Sequence, residues 1–372
     1  MSRDLGAAGP AGPSRGLGDS GVLIDYQDRL SERPRALGGL RVTPPLLSRL
    51  ADLHDRYMRG ARQGRRAVLQ NCDLTDLDLS GLDFSAAEFV SCIFTGADLR
   101  KTKMQHANIF GSHFDRANLA GADFARADLR ASCFDEADLT ATVLDHADMR
   151  RGALVSATST TEESARSSSF RAALLRGTRL THSRLREADF SHALLRGTDL
   201  SGADIRSTRF TGAEISDTRF LNTQVSEADF RGSLLDDLAR NSIDMSRVQA
   251  PNVRRPSEAE LRALLEAHFV WIMSGMRDGV RADLSNLDLT DADLSGLNLA
   301  AANLELSVLS RATLRDTVLL AVNLRHTNLV ATDFSGADLR GADLRGANRR
   351  NAKLGEARMG VLPGVNLPTR LV

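Results

Sequence analysis

The chain is poor in several features that mark secreted, membrane or nucleic-acid-binding proteins. It has 3 cysteines in 372 residues, too few for a disulfide framework, so a reducing compartment and a cytoplasmic location are expected. Aromatic residues make up 5%, which is low for a core of layered helices and sheets. Apolar runs all fall well short of the roughly 18 residues that cross a membrane, so no span is expected. Because 48 basic residues balance 48 acidic ones, net charge indicates neither an acidic nor a basic partner.

The main pattern in the sequence is a repeat of five residues. From Leu74 to Leu154 every fifth residue is large and apolar, and a small residue stands two places before most of them, as Ala97 does before Leu99. This period fits neither a helix nor an alternating strand. It fits a chain that turns a corner every five residues and points two side chains inward on each side. Four sides make a coil of about twenty residues, and such coils stack at the strand spacing of about 4.8 Å.

Residues twenty positions apart test this geometry, since they should be vertical neighbours. Leucine recurs in this way at positions 79, 99, 119 and 139. The predicted phenylalanine core columns are Phe94, Phe114 and Phe134 in one block, and Phe170, Phe190, Phe210 and Phe230 in the next. A random apolar pattern would not sort itself by twenties.

Three units carry a resemblance to a known family. Ala97-Asp98-Leu99, Ala292-Asp293-Leu294-Ser295-Gly296 and Ala342-Asp343-Leu344-Arg345-Gly346 closely resemble the motif of the pentapeptide-repeat proteins, known from bacteria. The resemblance implies an all-β solenoid, a right-handed quadrilateral β-helix with the small and large residues inside. Aspartate then faces outward, where it can bond the turning backbone. The resemblance implies nothing specific about activity, because one fold serves many functions.

The repeats form two tandem units, each preceded by an α-helix. The predicted parts are a disordered arm at 1–40, a helical cap at 41–70, a β-helix at 71–235, a linker at 236–256, a second cap at 257–281 and a second β-helix at 282–372. Thr43 followed by two prolines predicts the start of the first helix, and Ser257 with Glu260 forms a capping-box sequence for the second. Because the helices and the repeats after them resemble each other, we infer an internal duplication. The helices would cover open solenoid ends, which otherwise invite end-to-end oligomers.

The large apolar positions are interrupted between Leu154 and Phe170, where the spacing is sixteen. The irregular stretch 155–169 is rich in serine and threonine. It is either a degenerate run of sides with a one-residue bulge or a loop that leaves the solenoid. Since one inserted residue could preserve stacking, the bulge and a continuous β-helix are favoured.

Candidate chemical residues favour structural roles. Cys72 and Cys92 are twenty apart at small inward positions, close enough for a disulfide or a soft metal, but small core residues are the favoured interpretation. Cys133 falls at an outward position and is expected to be an ordinary surface thiol. The histidines show no ligand spacing, and His54 and His268 occupy matching places in the two helices, which predicts packing or cap bonding. No catalytic, cofactor-binding or metal-binding residue is therefore assigned, and no cofactor is expected.

Arginine provides the candidate partner-binding residues. One set lies on or just after the first helix and the other faces outward from the first β-helix: Arg56, Arg59 and Arg62, then Arg176, Arg186, Arg196 and Arg206. A basic stripe can bind nucleic acid, but no aromatics interleave for base stacking, so direct nucleic-acid binding is not expected.

The sequence favours a non-enzymatic scaffold that binds a protein of unknown identity. The family resemblance implies an alternative, a DNA mimic that protects or inhibits a type II topoisomerase such as DNA gyrase. Only residues 73–154 are acidic enough for it, with 14 acidic against 8 basic side chains. A third hypothesis is a secreted bacterial effector that uses residues 1–40 for export and the repeats for targeting.

Overall fold

The repeats form coils of twenty residues that stack through parallel backbone pairing. The computed structural model describes residues 37–153, 165–250 and 252–362. Single bridges join residues twenty apart on all four sides of a coil, as between Asp78 and Asp98 or between Asp98 and Asn118. Where pairing extends further, short strands form: β1 Leu37–Gly38, β2 Val68–Gln70, β3 Glu88–Val90, β4 Gly152–Ala153, β5 Ala165–Arg166, β6 Leu194–Arg196, β7 Glu214–Ser216 and β8 Leu234–Leu235. The predicted repeat β-solenoid is confirmed.

Each corner of a coil follows from the order of residues in the repeat. The second residue after the large apolar one takes a left-handed conformation, with φ of 56° at Lys101 and 70° at Gly121. The aspartate before the large residue accepts the N–H two places further on, as Asp98 Oδ1 does from Arg100 at 3.1 Å. This contact satisfies a donor that the turn removes from the ladder, so the recurring aspartate stabilises the corner.

The core consists of vertical columns of inward residues, one of which holds phenylalanine in seven successive coils. The seven phenylalanines predicted as core columns are fully buried and form one continuous stack: Phe94, Phe114, Phe134, Phe170, Phe190, Phe210 and Phe230. Their ring centroids lie 4.5 to 5.3 Å apart, with nearly parallel planes. The second solenoid has a separate core filled mainly with leucine.

The interpretation of 155–169 as a bulged run of sides is wrong. Cys133 pairs with Ser169, which is 36 positions later instead of twenty. The chain leaves the coil after β4 and returns at β5, and these two strands pair antiparallel. Sixteen extra positions exceed one five-residue side, and the coils on either side of them stack directly. Residues 154–164 lie outside the described part of the chain.

The prediction of a disordered arm over 1–40 is wrong for its last residues, 37–40. Residues 1–36 lie outside the described part, but β1 pairs with β2, and the Asp73 N–H donates to the Leu40 carbonyl at 2.9 Å. This pairing occurs because the first coil would otherwise expose its backbone donors and acceptors.

Three helices of the described chain flank the solenoids. They are α1 Pro44–Met58, α2 Asp237–Ser242 and α3 Glu258–Met273. Helix α1 begins after Thr43 and packs Leu46, Leu47 and Leu50 on the first core. Helix α3 begins after Ser257, whose Oγ accepts the Glu260 N–H at 3.2 Å, while α3 leucines pack on the second core. Taken over the described residues, the helices are too short or too polar to cross a membrane.

The prediction of a linker over 236–256 is wrong for the first part of that stretch. Helix α2 and a 3-10 turn at Met245–Arg247 follow β8, and Gln249 then bridges Asp229 twenty positions earlier. The stretch therefore completes a last coil of the first solenoid. Asp236 and Asp244 start the two helical turns by accepting backbone N–H groups, which explains why this coil bends away from the repeat pattern.

The two solenoids lie side by side and run in opposite directions. The Ala172 carbonyl accepts from Arg350 at 3.1 Å, and Glu214 accepts from both Ser310 and Asn328 at 2.8 Å. Partners in the second solenoid therefore have lower numbers as the first solenoid advances. Asn328 is buried at an outward repeat position because of this contact.

Candidate functional site

A polar cleft runs along the line where the two solenoids meet. We call it the seam cleft, and it consists of two adjoining cavities of about 460 and 520 Å³ that share Arg171 and His192. Its first wall carries Asp135, Glu136, Arg171, Ala172, Asp189, Ser191, His192, Arg209, Thr211, Asp229 and Arg231, and its second wall carries Glu305, Leu306, His326, Gly346, Ala347, Asn348, Arg349, Arg350 and Leu354. The first wall belongs to the phenylalanine-filled side of the first solenoid, so rigid stacked coils support it.

His192 joins the two walls. Its Nε2 lies 2.5 Å from the Gly346 carbonyl oxygen, and its own carbonyl accepts from Asn348 at 3.3 Å. Burial lowers the pKa of His192 to about 4, with Arg171 and His326 acting in the same direction, so the ring is neutral near pH 7. A neutral ring that bonds a carbonyl carries its proton on Nε2 and donates.

Acidic and basic groups alternate along the cleft. Arg209 pairs with Asp189 at 2.9 Å, and Arg231 pairs with Asp229 at 2.8 Å. Burial opposes ionisation of Asp229, but the hydrogen bonds from Arg231 outweigh it and lower the pKa of that carboxyl. Burial raises the pKa of Asp135, which accepts from the Ser169 hydroxyl and from the Arg171 N–H. The cleft thus offers fixed charges of both signs on a rigid surface.

The seven arginines predicted to bind a partner do not form one surface. Arg56 and Arg59 pair with aspartates one helical turn earlier, both at 3.0 Å, and Arg62 is exposed just beyond α1. Arg176 and Arg196 stack twenty residues apart in one column. Arg186 and Arg206 form another column, and the ten-residue offset places it on the opposite side of the coil. Their role in partner binding stays a prediction.

The column of Arg186 and Arg206 is longer than the sequence predicts. Arg130 and Arg150 extend it downward, since their neighbours Asp128 and Asp148 stack under Arg184 and Asp204. Arg130, Arg150 and Arg206 each bond the aspartate two residues earlier. These pairs neutralise most of the column, which is a reason to place the candidate site elsewhere.

The inward cysteines and cap histidines occupy the places that the sequence predicts. Cys72 and Cys92 are buried free thiols, and burial raises the pKa of Cys92 to about 12. His54 accepts the Ala67 N–H at 3.0 Å, and its Nε2 lies 3.0 Å from the Ser85 carbonyl oxygen. His268 accepts the Ala282 N–H at 3.0 Å. The predicted packing and cap-bonding roles are confirmed for both histidines.

The sequence interpretation missed the seam cleft, although the chain carries a signal for it. Leu174 and Leu194 stand at the outward repeat position that aspartate usually holds, as does Val308 in the second solenoid. Val308 is 1% exposed, and both leucines are partly buried. Apolar residues at an outward position predict that this side of a solenoid is covered.

Family profiles match most of the coils. The profile described as pentapeptide repeat region matches residues 66–144, and the one described as pentapeptide repeats (8 copies) matches residues 167–202, 193–232, 280–316 and 323–360. Together they span more than half of the chain. The chain belongs to the pentapeptide-repeat family. The curated proteins include no significant match to it.

Solved pentapeptide-repeat proteins resemble the chain at low identity. HetL, involved in heterocyst differentiation regulation in the cyanobacterium Nostoc, is 21% identical, with 82% of this chain and 94% of HetL covered and a TM-score of 0.23. Full-length QnrB1, a plasmid-mediated fluoroquinolone resistance protein, is 19% identical, with 62% and 95% covered and a TM-score of 0.21. A protein of the Arabidopsis thaliana thylakoid lumen is 21% identical, with 45% and 70% covered and a TM-score of 0.13. These values are too low to transfer a partner or an activity.

Proposed function

We propose that the protein is a non-enzymatic scaffold that binds a polar segment of a partner protein in the seam cleft. The observation that carries the proposal is the cleft itself, a surface of mixed charge held between two solenoids that lie side by side. Five arginines and five acidic residues line it. Rigid walls lose little freedom when a ligand binds, so a polar segment can be held without a large ordering cost.

The charge pattern favours a polypeptide over a nucleic acid. A polyanion would meet the carboxylates of Asp189, Asp229 and Glu305 along the same path as the arginines. A polypeptide offers donors, acceptors and charges of both signs, which suits alternating groups and gives specificity more than raw affinity. Arg171 lines both cavities, so it is the central residue of the proposed contact.

Site-specific photo-crosslinking from two opposite sides of one coil tests this proposal. A photoreactive residue replaces Thr211 in the cleft or Ser201 on the opposite side, and both proteins are irradiated in the native cell. We expect a discrete partner adduct from position 211 and none from 201, and the adduct should weaken when Arg171→Glu is added. Equal adducts from both positions, or none from 211, would contradict the proposal.

The topoisomerase-directed DNA mimic has weaker support. Its acidic region contains Asp98, Asp128 and Asp148, each of which forms an ion pair with the arginine two residues later. Such pairs reduce the negative field that a DNA mimic requires. A supercoiling assay distinguishes the two functions, because the scaffold proposal expects no effect on gyrase at micromolar protein, with or without a quinolone.

Two further hypotheses from the sequence stay predictions. Export as an effector depends on residues 1–40, most of which lie outside the described part, and deleting that arm tests it. Association through solenoid ends is opposed at the first end by β1 and α1, which cover the first coil.

A further inference from the structure

A cluster of three different ligand types lies on the outside of the first solenoid, beyond the seam cleft. His113 and Asp115 flank the inward Phe114, so both project outward from one side of a coil. Cys133 lies directly above His113, because these residues bridge in the parallel ladder. The stacking therefore brings a nitrogen, an oxygen and a sulfur donor to one place.

The distances within the cluster are short. His113 Nδ1 lies 3.4 Å from Asp115 Oδ2, and Cys133 Sγ donates to Asp115 Oδ1 at 2.8 Å. All three ligand atoms lie within 4.8 Å of one another. Ligand bonds of about 2.0 to 2.3 Å place tetrahedral donors roughly 3.3 to 3.7 Å apart, so small side-chain rotations would seat an ion between them.

From this geometry we propose that His113, Asp115 and Cys133 form a binding site for a divalent transition metal, with Zn²⁺ as the expected ion. Imidazole, thiolate and carboxylate together suit zinc, whereas magnesium and calcium prefer oxygen ligands alone. Three protein ligands leave a fourth tetrahedral position for water. The side chains of His113 and Asp115 are 38% and 30% exposed, so an ion can enter from solvent.

Asp135, on the same coil side as Cys133, supports the cluster without supplying a ligand. Asp135 stacks over Asp115, but its carboxylate already accepts from the Ser169 hydroxyl and the Arg171 N–H. These bonds hold its charge beside the site, where it attracts a cation. On binding, the Cys133 thiol loses its proton to solvent and the sulfur bonds the metal, which breaks the present Sγ–H to Asp115 hydrogen bond.

Calorimetric titration of the full chain with Zn²⁺ after chelator treatment tests the site. We expect one ion per chain. Cys133→Ser and His113→Ala should each weaken binding by at least about 100-fold, since losing a direct ligand should exceed the 10- to 100-fold effect of outer contacts. Cobalt binding should give a thiolate-to-metal absorption band that disappears in Cys133→Ser.

The chain offers matched controls for this experiment. Cys92→Ala removes a buried thiol at a position where alanine is common in other repeats, so binding should be unchanged. His182→Gln tests the stacked pair His146 and His182, whose ring centroids are 5.1 Å apart. Melting curves establish that each variant folds, and Asp115→Asn provides a third ligand variant. No ion bound by the wild type, undiminished binding by Cys133→Ser, or loss of binding in His182→Gln would overturn the proposal.

Discussion

His192 Nε2 contacts the carbonyl oxygen of Gly346 at 2.5 Å and so links the two solenoids through residues that are 154 positions apart in sequence. Because Nε2 donates this bond, Nδ1 is left as the basic nitrogen. Nδ1 has no hydrogen-bond partner among the described residues. It lies over Gly212 one coil later, close enough that a Cβ there would be 2.5 Å away. A proton on Nδ1 would therefore be buried without an acceptor.

Stability should depend on pH through this ring. The pKa of His192 is lowered to about 4 by burial, by Arg171 and by His326, while Asp189 and the Gly346 carbonyl act in the opposite direction. The unfolded chain, with a histidine pKa near 6.5, then binds more protons between pH 6.5 and pH 4. The contribution of His192 to the free energy of unfolding is complete above pH 6.5. It falls by about 1.4 kcal/mol per pH unit as the pH drops from 6.5 to 4. Denaturant unfolding at a series of pH values measures the slope.

The variant His192→Gln isolates this contribution. Glutamine keeps a donor for the Gly346 carbonyl but does not titrate, so the slope between pH 6.5 and pH 4 should become shallower by one proton. An unchanged slope would show that other groups cause it. His146→Gln, which replaces a histidine at an exposed corner, is the matched control for the substitution itself.

Glycine at position 212 should be required for space more than for its backbone conformation. Its φ is 68°, but alanine adopts similar values at Ala172 and Ala131, so conformation alone is tolerated here. Gly212→Ala would press its Cβ into the His192 ring, which the Gly346 carbonyl holds in place. We expect a loss of about 1 to 3 kcal/mol, typical of overpacking, in urea unfolding.

Gly177→Ala is the matched control for Gly212→Ala. Gly177 has φ of 65° and open space where a Cβ would stand. Its substitution should change the free energy of unfolding by less than about 1 kcal/mol, since only the backbone preference is affected. Equal losses in the two variants would mean that the ring of His192 moves freely, contrary to its contacts.

The stacked core was predictable because inward positions have little freedom. Residues such as Phe190 and Phe210 must match the coil below them, so their identity repeats by twenties. The stretch 155–169 was harder, because a spacing of sixteen equals three repeats plus one and gives the same repeat phase as a one-residue bulge. A bulge would place Phe170 over Met149, whereas the structure places it over Phe134, where the rings stack at 4.8 Å. Continuity of the phenylalanine column was the signal.

The seam cleft could not be read from the repeat in the same way, and the cluster of His113, Asp115 and Cys133 was overlooked. The family motif constrains inward residues, whereas outward ones are set by what covers them. Leu174 and Val308 depart from the usual aspartate and indicate a covered side, but no local pattern tells which side of the second solenoid covers it. His113 and Cys133 are twenty apart, so applying the stacking rule to outward positions would have found that cluster.

The inward and outward assignment predicts opposite effects at two adjacent residues. Phe210 is fully buried between Phe190 and Phe230, so Phe210→Ala should destabilise the protein by about 3 to 5 kcal/mol. Arg209 is mostly exposed and pairs with Asp189, so Arg209→Ala should cost less than about 1 kcal/mol. Thermal melts followed by circular dichroism distinguish the two, and equal shifts would refute the assignment.

The two cap histidines should differ in their importance. His54 is fully buried, and burial lowers its pKa, so the neutral ring accepts from the Ala67 N–H on one side and donates to the Ser85 carbonyl on the other. His268 makes the equivalent bond to Ala282, but its Nε2 has no partner among the residues that the structure describes. His54→Ala therefore removes two hydrogen bonds to backbone groups and should cost about 3 to 5 kcal/mol, against about 1 to 3 kcal/mol for His268→Ala, which removes one. Urea unfolding gives the free energies, while hydrogen exchange at the Ala67 and Ala282 amides reports each cap separately. Faster exchange at Ala282 in His268→Ala than at Ala67 in His54→Ala would reverse this order and show that contacts other than these hydrogen bonds hold the first cap.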